Sequence, residues 1–447
     1  MKPLKIGISG VRGIVGETFT PELAVDFAQA FGTYFESGRI LVCRDTRASG
    51  VMVRAAVMAG LLSAGCEVID LGICPTPTMQ LAVKHFNAAG GISITAGHNP
   101  APWNALKFVR GDGLYLNTTQ AEELLDILHQ NEFAKAGWDE IQTRIETRDA
   151  TELHIEALKQ VFDVASIRAR KLTVAVDCCN GACAALSPRW LEALGCRVLA
   201  INDELDSPFP HNPEPKRETM AQLRAVVKAG QADIGFAHDA DGERIGIVTE
   251  TGEALSEELT LAIAAEIKLS QTPGAVVTHL STSRAIEAIA ARHQSTVIRT
   301  PVGQSYISEA MIEHNAVLGG EGNGAVAVPE VQATNDAAAT IGLILEHLAK
   351  TETRISTLAA GLPRFTMLKH YVPIEPNLLF SALNDVRREA ETAGAAEVDL
   401  SDGVKLSWPD GWLHIRASNT ESMIRVIAEA ESRARAEELL AWAVDKL

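Results

Sequence analysis

The segment Asp239-Ala-Asp241-Gly-Glu243-Arg244 sets three carboxylates at alternate positions directly after the apolar run Ile234-Gly-Phe-Ala. All-oxygen donors of this kind suit a hard cation, and α/β enzymes place their chemistry beyond the carboxyl ends of strands. Arg244 beside them can grip an anionic oxygen in bidentate fashion, so the segment reads as a metal site next to a phosphate. A calcium loop is the competing reading, with Asp239, Asp241, Glu243 and Glu250 at its first, third, fifth and twelfth positions. Its sixth position needs glycine and here is Arg244, and the flanks are short apolar runs rather than helices. A solvated acidic turn is the plainer alternative.

Three further loops carry groups of similar use. Gly91-Ile-Ser-Ile-Thr95 runs into Ala96-Gly97-His98-Asn99-Pro100, where His and Asn can donate to a phosphate or form an Asx-type turn stopped by proline. Gly319-Gly-Glu321-Gly-Asn323-Gly324 combines exposed amides, a flexible turn and one acid, a set suited to vicinal sugar hydroxyls. Arg416-Ala-Ser418-Asn419-Thr420-Glu-Ser422, followed by Arg425, offers hydroxyls, amides and two guanidinium groups as a phosphate cradle, or makes an ordinary charged hairpin.

The elements that must position these loops repeat three times. Apolar strands at Ile40–Cys43, Leu172–Val176 and Ala275–Thr278 are each followed by a polar loop and a helical run, near 52–64, 184–194 and 284–292. Second strands follow at Cys66–Leu71, Cys196–Ile201 and Ser295–Arg299, and a third leads into each of the loops at 95–100, 239–244 and 319–324. Strand–helix–strand alternation predicts three similar α/β domains with mixed sheets and right-handed crossovers. From about residue 365 the pattern alternates like antiparallel strands and ends in a helix over 434–446, which predicts a C-terminal α+β domain. The expected domains are 1–147, 148–251, 252–362 and 363–447, around a central cleft, with linkers at 143–151, 250–257 and 359–363.

Composition narrows the function classes. A chain of 447 residues, 47% hydrophobic and 22% charged, has ample material for several cores. The formal net charge of -17 disfavours nucleic acid and anionic membranes, so any phosphate must be held by local Arg, Lys and amide clusters. With no apolar leader and no run of about 18 apolar residues, the expectation is a cytoplasmic protein that binds neither membrane nor nucleic acid. The seven cysteines lack paired spacing and read as reduced core thiols; Cys178 and Cys179 could form a reactive pair, or simply lie buried at a strand end.

Together the four loops resemble the α-D-phosphohexomutase superfamily of phosphoglucomutase, phosphomannomutase and phosphoglucosamine mutase. Gly7-Ile-Ser-Gly10-Val-Arg12-Gly13, Arg44-Asp-Thr-Arg47, Asn104-Ala-Leu-Lys107-Phe and Thr300-Pro-Val-Gly303 are similar to its other signatures, and the resemblance spans essentially the whole chain. It implies an enzyme that passes a phosphoryl group to a hexose phosphate, lets the bisphosphate turn over, and recovers the other phosphate. By the same resemblance, Mg²⁺ sits on Asp239, Asp241 and Glu243, a hexose 1,6-bisphosphate activates, and the protein is a monomer or homodimer. Gly97, His98, Arg12 and Lys107 fall in the catalytic positions, and Arg244, Gly303, Glu321 and Asn323 in the substrate-binding ones. Arg416, Ser418, Asn419, Thr420 and Arg425 fall at the phosphate that does not react. One departure is chemical: the family carries a phosphorylated serine where this chain has Gly97, and glycine has no nucleophile. His98, Thr95 or Ser93 could take its place, phosphate could pass directly between sugars, or the protein could bind phosphosugars without isomerising them. Glu243 also replaces the usual third aspartate, and Asn323 and Ala325 replace the usual serine and histidine of the sugar loop.

Overall fold

The computed structural model describes residues 4–7, 10–142, 144–375, 378–390, 394–417 and 423–447. Its first sheet contains β1 (Lys5–Gly7), β2 (Gly10–Ile14), β3 (Arg39–Arg44), β4 (Glu67–Ile73), β5 (Gly90–Ile94), β6 (Trp103–Arg110) and β7 (Glu146–Thr147), in the order β1-β2-β6-β5-β3-β4-β7. Strands β3, β4 and β5 pair in parallel, and β6 closes antiparallel on β5. The run Ile40-Leu-Val-Cys43 is apolar throughout because both faces of this sheet are covered. Ile40 and Val42 pack with Phe27, Phe31, Val57 and Leu61 from the helices Pro21–Tyr34 and Gly50–Ser63. Leu41 and Cys43 point the other way, onto Met79 and Val83 of the helix Thr76–His85.

The same plan recurs in β8 (Thr173–Asp177), β9 (Arg197–Ile201), β10 (Ile234–His238) and β11 (Ile245–Thr249), and again in β12 (Ala275–His279), β13 (Thr296–Thr300), β14 (Leu318–Glu321) and β15 (Ala325–Ala327). In each sheet three strands are parallel and the last pairs antiparallel. The loops 95–102, 239–244 and 322–324 are therefore topological equivalents: each turns a parallel strand into its antiparallel closing partner. The second and third units share one apolar core, in which the helix Ala337–Thr351 brings Ile341, Ile344 and Leu348 together with Phe162, Trp190 and Leu261. The fourth sheet, β16 (Thr366–Pro373), β17 (Glu397–Asp399), β18 (Val404–Trp408), β19 (Gly411–Ala417) and β20 (Met423–Ala430), is antiparallel throughout in the order β16-β20-β19-β18-β17.

Two of the expected linkers hold regular structure. Glu146 and Thr147 pair with Ile69 and Asp70 as the seventh strand of the first sheet, and Thr151 opens the helix Thr151–Val161. Ala359 and Ala360 end the helix Ile355–Ala360. Polar composition marked these segments as breaks, but a short edge strand needs only backbone pairing and carries little apolar pattern. All seven cysteines are free thiols, six of them buried. Among the described residues no helix is long and apolar enough to cross a membrane.

Candidate functional site

The acidic loop is tied down by backbone bonds from three sides. Thr76 N donates to Asp241 O at 2.9 Å, Ala182 N to Ala240 O at 2.9 Å, and Ala337 N to Gly242 O at 3.1 Å. Ile245 N, just after the loop, donates to Gly324 O of the sugar loop at 2.9 Å. Inside the turn, Asp239 Oδ1 accepts the amides of Gly242, Glu243 and Arg244 at 3.0 to 3.1 Å. Gly242 is required there: its φ is +76°, and a Cβ would lie 2.5 Å from Cys183 Sγ.

Two of the three carboxylates meet at one ammonium. Asp241 Oδ2 accepts Lys107 Nζ at 2.6 Å, and Glu243 Oε2 accepts the same ammonium at 2.8 Å. Glu243 Oε1 accepts the hydroxyl of Tyr115. Among the described residues no group of three or more His, Cys, Asp or Glu is arranged to hold an ion. Asp239, Asp241 and Glu243 are nonetheless neighbours, with Lys107 between the last two. The extra methylene of Glu243 carries its carboxylate onto Lys107 and Tyr115, while Asp239 and Asp241 remain adjoining and buried. Burial, and then the neighbouring Asp241, push the Asp239 carboxyl well above the usual range. Burial also presses Asp241 upward, but the Lys107 ion pair and hydrogen bond outweigh it and hold Asp241 low. Lys107 is raised, since Asp241 and Glu243 overcome its burial. Burial, with Glu243 and Asp241 next, keeps Tyr115 a neutral donor. Among the described residues no N–H or hydroxyl donor reaches the buried Asp241 Oδ1.

Gly97 stands against this pair. It adopts φ +53°, and a Cβ built on it would lie 3.4 Å from both carboxylate oxygens of Asp241. Its loop is held by Arg47, which donates to Gly97 O at 2.6 Å, Asn99 O at 2.7 Å and Pro100 O at 2.8 Å, and is itself paired with Asp45 at 2.9 Å. Arg12 Nη1 donates to Asn99 Oδ1 at 2.7 Å. Thr95 and Ser93 are committed elsewhere: Thr95 is fully buried and donates to Asp45 Oδ2 at 2.7 Å, and Ser93 bonds Thr76 Oγ1 at 2.9 Å. Neither hydroxyl is available to a substrate. Burial, followed by the charges of Arg244, Arg12, Lys107 and Lys216, keeps the His98 imidazole neutral well below its ordinary range.

On the other wall, Glu321 Oε2 accepts Asn323 Nδ2 at 2.8 Å, so the two sugar-loop side chains act as a unit. A cavity of about 440 Å³ runs between the domains. Arg12, Lys107, Glu243, Arg244, Gly303 and Glu321 line it together with Tyr115, Gln304, Tyr306 and Asn335. Its size is that of a small-ligand site. In the fourth domain, Arg416 and Arg425 are direct cross-strand partners on β19 and β20. Like charges placed opposite one another cost stability and invite an anion. Arg416 Nε is held by Asp402 Oδ2 at 3.0 Å, and the same oxygen accepts Val302 N of the cavity wall at 3.0 Å. Ser418, Asn419 and Thr420 lie outside the described residues.

The sequence reading missed Tyr115, Arg47, Gln304, Asn335 and Asp402 as participants. Arg47 stood within a quoted signature without a role; the others carry no local pattern and become visible only by tertiary position.

Four consecutive family models match the chain: phosphoglucomutase/phosphomannomutase α/β/α domain I over residues 3–135, domain II over 152–252, domain III over 256–365, and the C-terminal domain over 376–446. A phosphoglucomutase/phosphomannomutase of Thermococcus kodakarensis is 38% identical over 97% of this chain and 96% of its own length. A probable phosphoglucosamine mutase of Methanopyrus kandleri is 34% identical, covering 97% and 95%. The crystal structure of a phosphoglucomutase/phosphomannomutase family protein from Burkholderia thailandensis superposes with a TM-score of 0.86 at 27% identity, over 99% of this chain and 96% of that one. With every domain matched in order, the chain belongs to the phosphoglucomutase/phosphomannomutase family of the α-D-phosphohexomutase superfamily, a family of intramolecular phosphotransferases.

Proposed function

We propose that this chain interconverts hexose 1-phosphates and 6-phosphates by Mg²⁺-dependent phosphoryl transfer through a bisphosphate, with glucose, mannose or glucosamine as the sugar. The observation that carries the reading is the cavity, whose cationic residues Arg12, Lys107 and Arg244 share one space with Gly303 and Glu321 of the third domain. The names of the relatives support the three sugars.

Enzymes of this family are generally magnesium-dependent. The buried Asp241 Oδ1, with no N–H or hydroxyl donor among the described residues and beside the Asp239 carboxyl, fits a divalent cation, which Asp239, Asp241 and Glu243 would hold. Bound there, Mg²⁺ would supply charge against the oxygens of the transferring group. Arg12 and Arg244 add fixed positive charge at the same place, and Lys107 holds Asp241 ionised. With Gly97 lacking a nucleophile, the phosphoryl group would pass directly from the hexose 1,6-bisphosphate to the monophosphate: the attacking sugar hydroxyl forms the new P–O bond and gives its proton to the neutral His98 imidazole, the P–O bond to the bisphosphate breaks, and the departing sugar oxygen takes that proton back. Glu321 and Asn323 take sugar hydroxyls. Arg416 and Arg425, with Ser418, Asn419 and Thr420, anchor the distal phosphate and convert its binding into alignment.

A second reading rests on Gly97. With no hydroxyl at position 97, and with Thr95 and Ser93 buried in other bonds, the chain would bind phosphosugars or direct phosphate elsewhere without isomerising them. A coupled assay of 1- to 6-phosphate conversion with Mg²⁺ and glucose 1,6-bisphosphate separates the two. Turnover of any of the three sugars supports the mutase; saturable binding with no turnover supports the second reading.

A further inference from the structure

The acidic loop lies between the N-termini of two helices from different domains. Thr76 and Ala337 are the first residues of the helices Thr76–His85 and Ala337–Thr351, and their amides donate to the successive carbonyls of Asp241 and Gly242 at 2.9 and 3.1 Å. First-turn amides have no partner within their own helix and point out along its axis, so each helix end is free to grip the loop. The Thr76 hydroxyl adds a contact of 3.4 Å to Asp241 Oδ2. Where the two helix ends stand relative to each other therefore fixes where the Asp241 carboxylate is held.

A buried chain of side chains joins those ends. His154, in the helix Thr151–Val161, shares a hydrogen bond of 2.8 Å between its Nδ1 and Thr78 Oγ1, in the first turn of one helix. Its Nε2 donates at 2.9 Å to Oδ2 of Asp336, the N-cap of the other, since a carboxylate can only accept. Thr78, His154 and Asp336 are all fully buried. Asp336 Oδ1 meanwhile accepts the amides of Ala338 and Ala339 at 3.0 and 3.1 Å, so one carboxylate both caps its helix and takes the imidazole. Gln332 makes a parallel link, donating from Nε2 to Pro77 O at 3.1 Å and to Asp336 Oδ2 at 2.9 Å. Apolar side chains could fill such a junction as stably, because burying a carboxylate and an imidazole costs much of what their pairing returns. What the hydrogen bonds add is a fixed length and direction. We propose that His154 is a positioning residue: it sets the separation of the two helix ends that grip the acidic loop, and through them the placement of Asp239 and Asp241 against the transferring phosphoryl group. The inference rests on the mutase reading above.

The test begins with the parent protein, titrated with Mn²⁺ as a spectroscopic stand-in for Mg²⁺ and followed by electron paramagnetic resonance, then assayed with glucose 1-phosphate and glucose 1,6-bisphosphate. Absence of Mn²⁺ binding would remove the metal-dependent mutase reading and the inference with it; a parent that binds Mn²⁺ without turnover leaves the affinity measurement to decide. Thr78→Val, which keeps the side-chain shape and loses the hydroxyl, Thr78→Ser, which keeps the hydroxyl, and His154→Leu are then compared with the parent well below their melting temperatures. The expected result for Thr78→Val and His154→Leu is Mn²⁺ affinity weakened roughly tenfold and kcat lowered by a similar factor, with KM for glucose 1-phosphate held within about twofold. Thr78→Ser should match the parent in all three. A residue that only stabilises the junction would lower the melting temperature and leave Mn²⁺ affinity and kcat alone. That outcome overturns the inference, as does a Thr78→Ser protein that binds Mn²⁺ no better than Thr78→Val. Should His154→Leu fail to fold, the two Thr78 variants answer the same question with the same readouts.

Discussion

Replacing Gly97 by serine puts a hydroxyl where the chain has none. The backbone at φ +53° is left-handed, which costs an L-residue roughly 1–2 kcal/mol relative to glycine. Against this, the new Cβ would sit 3.4 Å from both oxygens of Asp241, an ordinary contact distance, and its hydroxyl would be within reach of the buried Oδ1 that now lacks a donor. A hydrogen bond to a charged group contributes about 1.5–3 kcal/mol, so the two effects partly cancel and stability should change by between about −0.5 and +2 kcal/mol. The functional change should be larger, since an activated hydroxyl opens a covalent route. After incubation with glucose 1,6-bisphosphate and Mg²⁺, intact-mass measurement of Gly97→Ser should show one added, acid-stable phosphoryl group that the parent lacks, with turnover raised by at least about tenfold, or 1.4 kcal/mol of barrier. A Gly97→Ser protein that melts normally yet gains neither phosphate nor turnover would refute the placement of position 97 at the reacting phosphate.

Other substitutions test the electrostatics. Lys107→Met leaves Asp241 and Glu243 buried without their cation and should cost about 3 kcal/mol in metal-free buffer, read by denaturant unfolding. Burial, opposed by Lys369, raises Glu258 from 4.5 to about 7. Its carboxyl is therefore more readily protonated in the folded state, and ionisation costs stability that is absent below about pH 4.5 and complete above about pH 7. Glu258→Gln should accordingly be more stable than the parent by up to about 3 kcal/mol at pH 8 and equal to it at pH 4, and equal unfolding curves at both pH values would count against the shift. Arg425→Ala removes a like charge opposite Arg416, so stability should hold within about 0.5 kcal/mol while KM for hexose phosphate rises roughly tenfold. An unchanged KM would take Arg425 out of the phosphate cradle.

Local rules were enough for the repeated architecture. The runs Ile40–Cys43, Ala275–Thr278 and Val404–Trp408 are strands because sheets covered on two faces, or alternating on one, write their period into neighbouring residues. The acidic turn after Ile234–His238 was legible for the same reason, as a change from apolar to carboxylate at a strand end. What the sequence could not decide is where each carboxylate goes. Glu243 belongs to Lys107 and Tyr115, 136 and 128 residues away along the chain, and the turn is fixed by amides from Thr76 and Ala337. His154 and Asp402 sit in segments with no chemical signature. Their importance comes from partners that are properties of the packed chain. Periodicity is a short-range property of the polypeptide, whereas ion pairing and the satisfaction of buried polar groups depend on distances that exist only once the domains have closed on one another.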